Sequence, residues 1–297
     1  MKDRDVAGSG VRMVEVNGVE LGVETFGHAS DPVVLLIGKS MLAWPDETCA
    51  ELACGSRFVV RFDPRDAGGS TSYPPGAPGY GLADLVGDAA CLAELVASGP
   101  EPRAVHVVAA SVGGWVGQLL ALDHPERVAS LTLISSRPTA PGVADPDLPD
   151  HEDRVMAHFM SGEPDWDDRA SVVEHLTGLD RVLAGSLGEF DEQAARELAG
   201  RAFDRTTSIK SNLINLSFVD SGPRWRERLG DITAPTLVIH GTEDPFFPFG
   251  NALALAKEIP GAELLPLEGV GHEPTPVAWR TVTAAVLRHT AVPEAGA

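Results

Sequence analysis

Residues 104–125 read AVHVVAASVGGWVGQLLALDHP, and this stretch decides the fold. Its first seven residues, apolar but for His106, read as a buried strand, covered on both faces of a sheet. Residues 113–124 follow as a helix. Ser111 stands at the junction, with a small residue two places before it (Ala109) and two places after (Gly113). A nucleophile on so sharp a strand-to-helix turn needs a strained backbone, and bulk at either neighbour would collide. The helix N-terminus aims its N–H groups at the same point, which suits a developing oxyanion. A serine capping the helix would fit the pattern equally well. The spacing recurs at 184–188 (AGSLG), but Ser186 follows a helical pattern with no buried strand before it, so context selects Ser111.

Outward from this unit, the runs PVVLLIG (32–38), FVVRF (58–62), VASLTLI (128–134), TLVIH (236–240) and AELLPL (262–267) read as further strands. Helical patterns at 45–53, 82–98, 251–258 and 277–290 alternate with them. Such alternation predicts an α/β fold, a mostly parallel sheet with helices on both faces. VRMVEV (11–16) and LGVETF (21–26) flank Asn17-Gly18 and predict a hairpin, while residues 1–10 read as a loose tail. Between 138 and 228 the apolar strands vanish and acidic helical segments replace them. The expected organisation is a core of 1–137 and 229–297, interrupted by a helical lid, 138–228, over the sheet's C-terminal edge, where open α/β sheets bind ligands.

With 23 basic and 43 acidic residues the chain carries a formal charge of −20, which repels nucleic acid phosphates. Hydrophobic content of 43% is ordinary for a globular protein. Cys49, Cys54 and Cys91 have no metal-ligand spacing and predict neither disulfides nor a metal site. With no apolar signal core and no membrane-spanning run, the expected location is cytoplasmic.

A serine hydroxyl needs a base, and that base an acid to hold its tautomer. Asp244 (in HGTEDPFFP) and His272 (in LEGVGHEPTP) follow Ser111 in the expected chain order, each just past a strand. Glu243 is the rival acid, and the turn shaped by Asp244-Pro245 favours Asp244. Among the other histidines, His240 lies in a strand and the rest read as helical, loop or structural residues.

Together these residues resemble the α/β-hydrolase superfamily, nearest to the anthracycline (aclacinomycin-type) methylesterases and related small-molecule esterases. The resemblance spans about residues 14–137 and 228–290. It is carried also by WPDE (44–47), by RFDPRDAGGST (61–71), where Asp66 follows Arg65 as in the methylesterases, and by ALDHPERVASLTL (121–133). It implies oxyanion donors at the backbone N–H groups of Val112 and of Lys39, in the turn after Gly38, and support from Asp63, Arg65 and Ser70. Two departures stand out. Ala109 replaces the usual glycine, and the oxyanion turn, IGKSM, is shorter and puts a cation beside the site, facing an anionic substrate or solvent.

The resemblance implies a cofactor-free serine hydrolase that cleaves a small-molecule ester through an acyl-enzyme and tailors a polyketide-type natural product. Met41, Trp44, Phe159, Trp166, Phe218 and Phe246 are the expected pocket residues. The expected protein is a monomer or homodimer, with no nucleic acid or membrane partner. A cyclase, decarboxylase or C–C lyase would fit the same residues. A ligand-binding receptor on this fold is the third reading.

Overall fold

The computed structural model describes residues 8–97, 103–140 and 145–291. Residues 1–7 of the expected tail and Ser98, the expected end of one helix, lie outside them.

The chain opens with a hairpin, β1 (Arg12–Val16) and β2 (Val19–Phe26), closed by Asn17 and Gly18. Both turn residues have positive φ, 48° and 77°, the two-residue geometry that matches strand twist. β3 (Val33–Ile37), β4 (Phe58–Phe62), β5 (Val105–Ala110), β6 (Val128–Ile134), β7 (Thr236–Gly241) and β8 (Glu263–Leu267) follow. The described strands form one sheet in the order β1-β2-β4-β3-β5-β6-β7-β8. From β4 onward all neighbours are parallel, while β2 joins β4 antiparallel.

β3 shows why apolar runs become central strands. Val33, Leu35 and Ile37 face one core layer and Val34 and Leu36 the other, each no more than 3% exposed. Each fully buried leucine contributes about 2 kcal/mol by leaving water. On the first face pack α2 (Leu82–Val96), α3 (Gly113–Asp123) and α8 (Gly250–Glu258). On the second pack α1 (Asp46–Cys54) and α9 (Pro276–His289).

Between β6 and β7 lie α4 (Asp153–Met160), α5 (Arg169–Leu183), α6 (Glu192–Arg205) and α7 (Ile209–Ile214). Asp168, Asp191 and Ser208 cap α5, α6 and α7 by accepting first-turn N–H groups. Many acids of this segment are paired rather than merely solvated: Asp204 holds Arg169, and Glu174 and Glu192 hold Arg196.

The loop after β4 ties these helices to the sheet. Asp63, fully buried, accepts from both terminal nitrogens of Arg205, at 2.9 and 2.6 Å, and from the Met41 N–H. Asp66 occupies the left-handed region at φ 68°, and its carboxylate accepts from Tyr80 Oη, Asn215 Nδ2, Ser72 Oγ and the Tyr73 N–H.

Candidate active site

Ser111 follows β5 directly with φ 53°, a conformation that costs a non-glycine residue strain. Packing holds the turn. The Ser111 N–H donates to Ile134 O, and Ser136 Oγ donates to Ser111 O. A Cβ on Gly113 would come within 2.4 Å of the Ile37 carbonyl, so only glycine lets α3 start this close to β3.

The loops after β7 and β8 bring two side chains to it. His272 Nε2 lies 2.8 Å from Ser111 Oγ, and His272 Nδ1 lies 2.9 Å from Asp244 Oδ2. Asp244 Oδ1 accepts from the N–H groups of Phe246 and Phe247. Asp244 is 2% exposed and His272 6%. Burial alone would push the Asp244 carboxyl up. The charge interaction with His272, with hydrogen bonds from His240 and His272, outweighs it and holds the group well below the usual carboxylate range.

Among the described residues no group accepts from the Lys39 or Val112 N–H, so both donors stand free beside Ser111. Asp63 holds this turn through Met41 N–H, and Ser70 Oγ bridges Asp63 O and the Gly22 N–H. Arg65 reaches Asp88 with two hydrogen bonds of 2.8 Å. Ala109 is fully buried against α3, where a Cβ on Gly117 would meet its own at 2.8 Å.

The rejected rivals find each other. Ser186 donates both its N–H and its Oγ to Glu243, at 2.7 Å each. Those bonds hold the Glu243 carboxyl below its ordinary range. The small residues of 184–188 serve close packing: a Cβ on Gly185 would sit 2.3 Å from Gly269 O, and the His272 N–H donates to Leu183 O.

Lys39 is about half exposed, and its charge is already partnered. Its Nζ pairs with Glu273 at 3.2 Å. The exposed half of each side chain faces a narrow cavity that Asp180 of α5 also lines. Burial and the neighbouring Glu273 push the Asp180 carboxyl up to about 7, against the pull of Lys39. The unfolded chain therefore releases this proton at lower pH than the native state does. Asp180 lowers stability progressively as pH rises from the ordinary carboxylate range to about 7. Asp180→Asn is expected to raise Tm by an amount that grows across that window and then levels off, as thermal melts over a pH series would show. A gain independent of pH would contradict this.

Two lobes border Val112, the residue that follows the serine. A wide one, about 530 Å³, is walled by Phe159, Trp166, Phe218, Phe246, Trp115 and His151. A narrow one, about 60 Å³, runs along Gly38, Lys39, Val112 and Gly113 toward Arg65 and Tyr80. Val112 and Leu216 border both. Phe246 also stands edge-on to His272 at 4.9 Å and stacks on His151, whose Nδ1 closely approaches the Phe246 carbonyl.

Met41 and Trp44 correct the expected pocket. They are 2% and 1% exposed and line neither lobe. The 3-10 turn after Ser40 folds them back, so that Trp44 packs edge-on against Trp279 of α9 in the layer beneath the sheet. Sequence reasoning missed His240, Phe247, Asp180, Glu273 and Arg205. Glu273 alone had a signal, its position next to His272.

Residues 37–276 match the model of the alpha/beta hydrolase fold family. The chain belongs to that family. It is 34% identical to rhodomycin D methylesterase DauP of Streptomyces sp. (strain C5), over 94% of this chain and 97% of that protein. It is 32% identical to rhodomycin D methylesterase DnrP of Streptomyces peucetius, with the same coverage of both chains. A solved hydrolase from Pseudomonas aeruginosa PA01 shares the fold, with TM-score 0.71 and 24% identity over 96% of this chain and 99% of that one. Family and relatives together make the protein a carboxylic ester hydrolase. Among the described residues no helix is long and apolar enough to cross a membrane.

Proposed function

We propose that the protein hydrolyses a small alkyl ester of a bulky, planar aromatic acid, a polyketide-type natural product, through a Ser111 acyl-enzyme. Ser111 Oγ attacks the ester carbonyl while His272 Nε2 takes its proton. Asp244 keeps the imidazole in the Nδ1–H tautomer and supports its positive charge. The free N–H groups of Lys39 and Val112 receive the oxyanion, each worth on the order of 10²–10³ in rate. His272 then protonates the leaving alcohol, and water repeats the attack to release the acid. The helices of 138–228 act as a cap that roofs the wide lobe, and Asp63, Arg65 and Ser70 brace the turns beneath.

One observation carries the substrate reading: the two lobes meeting at Val112 differ almost ninefold in volume, about 530 against about 60 Å³. The wide lobe falls in the range of sites for drug-sized ligands, while the narrow one has room for a methyl or similarly short alkoxy group. Cleavage of a methyl ester, on rhodomycin D, is the chemistry that the names of the two Streptomyces relatives carry. The test is kcat/KM for methyl, butyl and benzyl esters of one polycyclic aromatic acid, beside the acetate of a polycyclic alcohol. The methyl ester is expected to lead by about tenfold or more, since each methylene that a pocket refuses is worth about 1–3 kcal/mol. Equal rates for methyl and benzyl esters would refute the reading.

A further inference from the structure

We infer that His240 is a positioning residue for Asp244, sharing one N–H between the carboxylate that backs His272 and the carbonyl that anchors the aromatic wall. The inference rests on the Ser111-His272-Asp244 reading above and extends it by a fourth side chain.

His240 is the penultimate residue of β7 and is fully buried. Its Nε2 lies 2.7 Å from Phe247 O and 3.1 Å from Asp244 Oδ2. Both partners are pure acceptors, so Nε2 must carry the proton. Among the described residues Nδ1 has no partner, and Phe249 stands edge-on to the ring at 6.1 Å. A hydrocarbon side chain would fill this space without stranding a polar nitrogen. The imidazole's one satisfied contact is therefore its function.

The geometry shows what that contact does. Oδ1 of Asp244 is fixed by two N–H groups of its own loop. Oδ2 receives the bond from His272 and stands 3.1 Å from His240 Nε2, a contact that resists any swing of the carboxylate away from His272. The second donor also draws on the charge of Oδ2, tempering its pull on the catalytic imidazole. Among the described residues the titratable groups at Oδ2 are these two histidines; Glu243 bonds Ser186, and Glu273, which interacts with His272 by charge, bonds Lys39. Through Phe247 O the same N–H holds the Phe246–Phe247 wall, whose rings stand 4.9 and 5.6 Å from His272.

The experiment compares His240→Leu, which removes the donor, with His240→Gln, whose longer amide carries an N–H to the former Nε2 position. In the leucine variant Oδ2 serves His272 alone. The acidic limb of kcat/KM is expected to move up by roughly half to one pH unit, with KM rising for bulky esters as the wall loosens. Glutamine is expected to restore both. Should the leucine variant fold poorly, His240→Asn, whose shorter amide does not reach Oδ2, is expected to show the same shift. A limb that stays in place in the leucine or asparagine variant, or that moves as far with glutamine, overturns the inference. Labelling by a fluorophosphonate separates the two readings. Ser111 labelled with an unmoved limb defeats the role of His240 alone, whereas a parent protein unlabelled at Ser111 defeats the triad beneath it.

Discussion

Ser111→Ala is expected to lower kcat by about 10⁴-fold or more while leaving the fold intact. The hydroxyl's hydrogen bond is to His272, and alanine adopts the positive φ at the same cost as serine, so Tm should hardly move. What activity remains would come from the two backbone donors and the cavity holding the ester against water. A fluorophosphonate should label the parent at Ser111 and leave the variant unlabelled. Ser186 offers no alternative, since Glu243 occupies its hydroxyl. Substantial turnover of an ester by the variant, or a labelled serine elsewhere, would end the acyl-enzyme account. A Ser111 that never labels, with turnover of a biosynthetic intermediate surviving in the variant, would instead favour a lyase or cyclase that uses His272 as base.

The second large effect is mechanical. In Gly271→Ala, the new methyl would stand 2.1 Å from Leu183 O and 2.5 Å from Gly185 N, both backbone atoms with no flexible end to yield. The loop carrying His272 must therefore shift. Overpacking of this kind costs about 2–3 kcal/mol, which lowers Tm by roughly 3–5 °C. A displacement of His272 by about 1 Å would cost about 10²-fold in kcat. Gly230, with open space at its Cβ, is the control: Gly230→Ala should leave both quantities unchanged. Thermal denaturation and ester kinetics on the two variants decide the matter, and a Gly271→Ala protein matching the parent in both would refute the argument.

What could be read from the sequence was local. The runs at 33–37, 58–62, 105–110 and 128–134 announce central strands because a strand covered on both faces is apolar on both, with the few polar residues, such as Arg61, buried. Ser111, Asp244 and His272 stand out because each sits at a strand end, where chain order constrains its role. Phe159, Trp166, Phe218 and Phe246 do line the wide lobe, since bulky apolar residues in a helical segment or strand-end loop beside the site have few other places to go. Met41 and Trp44 resisted such reading because a 3-10 turn reverses the direction of side chains within three residues. The ion pair of Arg205 with Asp63 and the charge interactions of Asp180 with Lys39 and Glu273 join distant segments, and no local spacing encodes them. Ser186 teaches the same lesson in reverse. Its small neighbours imitate a nucleophile's turn because both settings require two backbones to touch.

The bond from His272 N–H to Leu183 O has a practical corollary for protein engineering. Although 183–187 lies among the helices between β6 and β7, it is physically a shim beneath His272. A chimaera that imports a foreign roof wholesale would discard the shim along with it. Splicing before residue 182 and after 188, with the native run retained between two donor pieces, is the design by which new substrates could be admitted without unseating the machinery.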